Sequence, residues 1–295
     1  MHFNRTIAAA ALAAASCYAA DASALLVTQD NNGTDLLNAL VPNQAQFASI
    51  TASYTTGAAA QVGTYTGFTS PPVTIGNGVV LSTGEAVQTV GPASPSDIPS
   101  TDEGGGSTPE INAYAPTHIT NWSSSHDAAV LTVNFNLATP SAVAFDFIFG
   151  SVEFPNFTSN FTDAAYVFLD GNQITFDANG NPVQVGASFA GSLTTADTNS
   201  AFAAPHGLIG PLTTNSGTLS AGAHTIQFEV ADTNDGVLDS AIFLSDFTTA
   251  AGGGGPCTVN CATVPEPGTT TLLASCLAAL IGIVGFRHLR SMFGA

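Results

Sequence analysis

Positive charge is almost missing from this chain. Of 295 residues only three are Lys or Arg, against 21 Asp and Glu, for a formal net charge of -18. Those three, Arg5, Arg287 and Arg290, stand near the two ends, so nothing from Thr6 to Phe286 carries a permanent positive charge. Proteins hold nucleic-acid phosphates and anionic headgroups by neutralising them with Lys and Arg, so the domain excludes nucleic acid as a partner. The carboxylates have no basic side chain to pair with, and such a surface attracts divalent cations as well as keeping an exported protein soluble.

Cysteine is scarce too. Cys17 and Cys276 fall in the terminal segments, which leaves Cys257 and Cys261 in "GGGGPCTVNCATVPEP". Four apart in a Gly-rich stretch, these two are placed to close a small disulfide loop in an oxidising compartment, and a zinc site would need two further ligands that do not stand nearby. There is no G-x-S-x-G and no H-E-x-x-H, and the span between the terminal segments and this stretch has no cysteine to serve as a nucleophile. These absences predict a non-catalytic protein; a secreted hydrolase built on paired carboxylates is the alternative, since such pairs are recognised only in space.

What is present begins with the ends. "MHFNRTIAAAALAAASCYAADASA" has a short start closing at Arg5, an apolar run and a small-residue site at Ala22-Ser23-Ala24, which reads as a secretory signal over 1–24. At the other end, Thr269 to Phe286 is an uncharged run of about 18 residues, just enough to cross roughly 30 Å of hydrocarbon as a helix. Arg287 and Arg290 follow it and set the C-terminus on the cytoplasmic side, with the main domain outside.

Between the ends, period-two alternation dominates. "VLTVNFNL" puts Leu131, Val133, Phe135 and Leu137 on one face, "AVAFDFIFG" does so with Val143, Phe145, Phe147 and Phe149, and "HTIQFEVAD" with Ile226, Phe228 and Val230. The first two runs, separated by "ATPS", read as a hairpin. "GTDLLNALVPN" predicts one short helix capped by Thr34 and ended by Pro42. The class is all-β: a sandwich of jelly-roll type over 25–248 with one short N-terminal helix and a C-terminal transmembrane helix. Residues 84–127, with "GPASPSDIPSTDEGGGSTPE", read as a long mobile loop inside that domain, and 249–264 as a Gly-rich linker.

Two sites stand out in the domain. Asp232, Asn234, Asp235 and Asp239 place side-chain oxygens around Gly236, a pattern able to converge on a hard cation such as calcium, although an Asx-rich turn between strands accounts for the same residues. "DNNGTD" (Asp30 to Asp35) and "DANGN" (Asp177 to Asn181) repeat these residue types more weakly. Trp122, the single tryptophan, is the candidate glycan contact of a carbohydrate-binding module, or else a ring that packs its own loop onto the core.

Two resemblances follow from quoted segments. Pro265-Glu266-Pro267, the single span and the basic cluster over 265–295 resemble the PEP-CTERM sorting signal, which implies recognition and cleavage by an exosortase-type processing enzyme after a transient stay in the inner membrane; a permanent tail anchor is the alternative. "GNGVVLSTGEA", "FDFIFGSVEFPNFTSNFTDAAYVFLDG" and "EVADTNDGVLDSAIFL" resemble the choice-of-anchor L domain of bacterial surface proteins, over about 220 residues from Thr34 to Phe247. Where that family more often has two consecutive acids this chain has Val152-Glu153, and Thr162-Asp163 stands where it usually has Asn-Asp. Together these imply an exported protein of the cell surface or extracellular matrix, in adhesion or in association with exopolysaccharide.

Overall fold

The computed structural model describes residues 24–70, 73–91, 98–177, 179–186, 193–194, 198–250 and 261–263. The signal segment, Cys257, the Pro265-Glu266-Pro267 motif, the apolar run after it and Arg287 and Arg290 lie outside the described residues. Among the described residues no helix is long and apolar enough to cross a membrane.

Among the described residues, fourteen strands and two α-helices follow one another as β1 (Leu26–Gln29), α1 (Gly33–Leu40), β2 (Ser49–Thr56), β3 (Val62–Ser70), β4 (Val73–Ser82), α2 (Pro109–His118), β5 (Ser125–Leu137), β6 (Ser141–Ser151), β7 (Ala164–Leu169), β8 (Asn172–Gln173), β9 (Val183–Gln184), β10 (Leu193–Thr194), β11 (Gly207–Leu219), β12 (Gly222–Thr233), β13 (Ser240–Ala250) and β14 (Cys261–Thr263). One sheet runs β1-β3-β4-β13-β6-β11-β10, with β14 paired to β11; the other runs β2-β5-β12-β7-β8, with β9 paired to β7. All pairs are antiparallel except β11 with β14, so part of the expected 249–264 linker is a strand. The all-β sandwich read from the alternation is the fold.

The two Phe-rich runs are not a hairpin. β5 belongs to one sheet and β6 to the other, and Ala138, Thr139 and Pro140 turn the corner between them. Leu131, Val133 and Phe135 therefore face Phe145, Phe147 and Phe149 across the core instead of lying beside them. Alternation reports that one face of a strand is buried, and it is silent on whether two such strands pair edge to edge or stack face to face. The same crossing recurs where β12 passes to β13, so loops that join the sheets gather at the ends of the sandwich.

Both outer faces are covered as well. Tyr65, Phe68, Val80, Ile148 and Phe243 pack outside the larger sheet with Phe202, while Tyr166, Phe168 and Ala231 pack outside the smaller sheet under Ile111 and Ala115 of α2. Every residue of β7 is consequently buried, as expected of a strand covered on both faces.

Both helices amend the sequence reading. Asn32, not Thr34, caps α1: its Oδ1 accepts from the N–H groups of Thr34 (2.9 Å) and Asp35 (3.4 Å). α2 lies inside the stretch expected to be a structureless loop; Thr108 caps it and Pro109 opens it. Its weak amphipathic pattern and the internal Pro116 hide it from a periodicity search.

Phe228 sits at the centre of the inter-sheet core, edge-on to Phe145 (5.0 Å between centroids) and Phe247 (6.2 Å). Phe228→Ala should cost about 3–5 kcal/mol and lower the melting temperature by roughly 10 °C, read by thermal unfolding. A drop of only a degree or two would contradict the packing described.

Candidate functional site

The inward apolar stripes end together at one end of the sandwich, and each ends in a polar residue. Leu81 of β4 gives way to Thr83, Phe149 of β6 to Ser151 and Glu153, Ala165 of β7 to Asp163, Val230 of β12 to Asp232, and Ile242 of β13 to Ser240. Because strand side chains alternate, one further step of two residues keeps each of these on the core side. All six are buried, with Glu153 and Asp232 only 1 % exposed and Asp163 0 %.

Asp163 and Asp232 are cross-strand neighbours, one step beyond the Ala231–Ala164 pair of β12 and β7. Asp163 is well supplied with donors: Oδ1 accepts from the Thr233 N–H (2.9 Å) and Oδ2 from the Ser240 hydroxyl (2.7 Å). Asp232 is not, for neither of its oxygens accepts a hydrogen bond. The Thr83 hydroxyl facing it is engaged with Ser240, donating to the carbonyl (3.4 Å) and accepting from the N–H (2.9 Å). Glu153 Oε2 and Asp235 Oδ1 are buried without a partner as well.

Burial first, and then the neighbouring carboxylates, push Glu153, Asp163 and Asp232 well above the usual carboxylate range. Asp235 contributes to the rise of Glu153 and Asp163, which places its carboxyl with theirs. Two unit charges about 4 Å apart at an effective dielectric of ~20 repel by ~4 kcal/mol, so this group cannot all ionise without a counter-charge.

A second ring of acids lies just outside and ties down the stretch 98–106. Asp239 Oδ1 accepts from the Thr101 N–H (2.8 Å) while its own N–H donates to the Pro99 carbonyl (3.0 Å). Asp127, the bulged residue of β5 at φ 49°, accepts from Gly105 N–H at 2.7 Å. Glycine is required where these carboxylates press on backbone: a Cβ on Gly84 would lie 1.9 Å from Asp239 Oδ2, and one on Gly236 2.8 Å from Asp127 Oδ2. Burial lifts Asp239 to about 7, opposed by the Thr101 N–H and reinforced by Asp127, Glu103 and Glu85.

The residues nominated for a cation are thus divided. Asp232 and Asp235 belong to the buried group, and Asp239 belongs to the outer ring. Asn234 is a latch: Oδ1 accepts from Ser123 N–H (2.8 Å), the Ser123 hydroxyl (2.8 Å) and Ser124 N–H (3.4 Å), while Nδ2 donates to the carbonyls of Asn121 (3.0 Å) and Asn160 (2.7 Å). Its φ of 76° fits an Asx turn, and both ends of its amide are committed. Glu153 and Asp163, which the sequence search for a cation loop passed over, become visible once each core stripe is extended by two residues. Among the described residues no three His, Cys, Asp or Glu side chains converge as a finished metal cage.

Comparison with known proteins places this arrangement. Residues 26–248 match the family described as Choice-of-anchor L domain. The chain belongs to the choice-of-anchor L family. No curated protein and no solved structure matches it. The matched residues take in both sheets apart from β14 and the last two residues of β13, with α1, α2 and all the carboxyls above, so the choice-of-anchor L unit is the sandwich. Its membership marks the chain as a surface-associated bacterial protein.

The rest of the choice-of-anchor L domain offers a groove of about 1070 Å³ along α2 and β7–β8, lined by Tyr114, His118, Phe168, Asp170, Asn172 and Gln173 among others. Tyr114 and His118 stack there at 3.9 Å. Trp122 is elsewhere: its Nε1–H donates to Ser125 Oγ (2.7 Å) and its half-buried ring packs with Ile111, Ala128 and Tyr166. The nominated glycan contact therefore holds its own loop to the sheet. Asp177, nominated more weakly, closes a turn instead: its Oδ1 accepts from the Asn179 and Asn181 N–H groups (2.8 Å each).

Glu229 lies on the other face of β12, below the start of α2, where Oε2 accepts from the Thr108 hydroxyl (2.7 Å) and Oε1 has no partner. Burial, opposed by the Thr108 bond and helped by Glu110, raises it from 4.5 to about 7. A raised acid keeps its full contribution below the unfolded value and loses it as pH climbs through the folded one. Glu229→Gln should accordingly change little at pH 4.5 and stabilise by up to about 3 kcal/mol at pH 8, measured by urea unfolding at both pH values. Equal effects at both would show that Glu229 ionises freely.

Proposed function

We propose that this is an exported, non-catalytic module of the bacterial cell surface or extracellular matrix, sorted through Pro265, Glu266 and Pro267 and then released from its C-terminal span. One observation carries the non-catalytic reading: the clustered acids Glu153, Asp163, Asp232 and Asp239 are buried at the end of the sandwich, by the 98–106 stretch, while the large groove, with Glu110 and Asp170 in its lining, lies apart from them against α2. A hydrolase needs its carboxyls at a cleft that a substrate can enter. The strand order, with β4-β13-β6-β11 facing β5-β12-β7-β8, supports a jelly-roll architecture, which suits a rigid display module.

A second reading, contact with exopolysaccharide, is favoured by the groove. An exposed His118 on Tyr114, with Asp170, Asn172 and Gln173 across from it, combines a ring face and polar groups as sugar sites do.

The sorting reading is tested in a host that carries an exosortase-type processing enzyme. Wild-type chain should lose its last residues and leave the inner membrane, whereas a variant with Pro265, Glu266 and Pro267 all replaced by Ala should keep its full mass and stay in the membrane fraction; intact mass and fractionation read both. Full-length wild-type protein held in the inner membrane would make the span a permanent anchor instead.

A further inference from the structure

We propose that Glu153, Asp163, Asp232 and Asp235, together with the hydroxyls of Thr83 and Ser240, form a binding site for a hard divalent cation, calcium by preference, at the end of the inter-sheet core. The inference goes beyond sorting and does not rest on it.

Placement comes first. Asp163 and Asp232 stand side by side on β7 and β12 and project into the space between the sheets, while Thr83 and Ser240 face them from β4 and β13. Glu153 and Asp235 come in from the two loops that leave β6 and β12. Three of these carboxyls are buried to within 1 % of full exclusion, and Asp235, half-buried, lies at the solvent side and gives a path of entry.

The second observation is the unused oxygen. Both oxygens of Asp232, Oε2 of Glu153 and Oδ1 of Asp235 are enclosed and accept nothing. The Asp163 oxygens each accept one bond, which leaves each with a further lone pair. Buried polar atoms are satisfied as a rule, so four orphaned acceptors at one spot call for a cationic or proton-bearing partner. Protein cannot supply the cation, because no Lys or Arg occurs between Thr6 and Phe286. His126, the imidazole that faces Asp235, has its Nε2 engaged with Ser124 Oγ at 3.0 Å.

Donor type selects the ion. All ligating atoms here are carboxylate and hydroxyl oxygens, which exclude soft-metal preferences and match the hard cations. Calcium accepts six to eight oxygens in irregular arrangements, whereas magnesium demands a near-ideal octahedron. Glu153 and Asp235, borne on loops, suit the more tolerant ion.

The competing occupant is the proton. Asp163 and Asp232 stand side by side and can hold one proton between their carboxyls. Both occupants neutralise the same charge, so a cation must displace protons to enter.

The test uses the full chain in detergent, stripped with EDTA, and its readouts are calcium titration by calorimetry in PIPES and in Tris at pH 7.5 and thermal melting followed by Trp122 fluorescence. Wild type should bind one calcium, release protons (seen as a buffer-dependent enthalpy) and melt several degrees higher in 1 mM CaCl2 than in EDTA, with a smaller rise in MgCl2. Asp232→Asn should weaken binding at least tenfold and abolish the rise, while Asp35→Asn on α1 leaves both intact. Should Asp232→Asn fail to fold, Glu153→Gln carries the same comparison. A calcium-dependent rise equal in wild type and Asp232→Asn would overturn the site in favour of diffuse binding to an acidic surface. No rise in wild type, with Asp232→Asn more stable than wild type at pH 8, would overturn it in favour of the shared proton.

Discussion

Carboxylates in this protein bind backbone N–H groups and hydroxyls because the domain offers them no Lys or Arg. Asp163 takes the Thr233 N–H, Asp239 the Thr101 N–H and Asp127 the Gly105 N–H, and each bond joins segments far apart in sequence. The one ion pair among the described residues, His224 with Asp170 at 2.7 Å, depends on a protonated imidazole. In a chain with ordinary Lys and Arg content the acids of such an end would turn outward to flexible basic partners, whose surface pairs contribute little. Charge-assisted bonds to fixed amides are stronger and are directional. They hold the 98–106 stretch against the sandwich, and Gln61 completes the junction by donating to the carbonyls of Ser82, Thr83 and Asp127 while accepting from Ala58 N–H.

This constraint fixes register as well as loop position. The inward stripes of β7 and β12 run from aliphatic and aromatic residues straight into Asp163 and Asp232. Sliding either strand by one residue would put its apolar set on the outer face and aim its carboxylate away from Ser240. A polar layer at the end of an apolar core therefore opposes misregistered pairings that a wholly apolar stripe would tolerate more easily. The crossing of strands between sheets makes the same demand at every connection, since β12 and β13 must each arrive with Thr233 and Ser240 on opposite sides of Asp163.

Much of the fold is legible in the chain, and the limits are instructive. Period two located β5, β6 and β12 because each has an apolar face turned to one core. It could not assign β5 and β6 to different sheets, since facing and pairing strands carry identical patterns. α2 escaped because its apolar residues answer to Tyr166 and Phe168 beneath it, and Pro116 breaks the helical signature. For the site, composition drew attention to the Asp232–Asp239 loop, yet the group is assembled from three connections, after β4, between β6 and β7 and between β12 and β13, and only two of its carboxyls stand in that loop. Sequence spacing identifies ligands that share a turn, such as Asp232 and Asp235, but not carboxyls brought together by strand order. The missed signal was the last step of each alternation, where Leu81, Phe149, Ala165, Val230 and Ile242 are followed two residues on, or preceded two residues back, by polar side chains.

The acids at this end fall into two sets, and the division follows from donor supply. An acid whose oxygens receive backbone or hydroxyl protons is held toward its ionised form, because those donors favour charge. Asp163 has two such donors, and Asp127 and Asp239 have one each on a single oxygen. An acid poorly supplied, above all Asp232, whose facing donor is the Thr83 hydroxyl already engaged with Ser240, meets chiefly the cost of burial and the repulsion of its neighbours. Adding a donor to one member makes the others harder to ionise, since each new charge in the group raises the rest. The anchored carboxylates thus create the need that the unanchored ones express, and any neutralising partner stabilises both sets at once. Local hydrogen bonding, set by which N–H groups the strand order brings within reach, thereby decides where in this basic-poor chain a counter-charge must go.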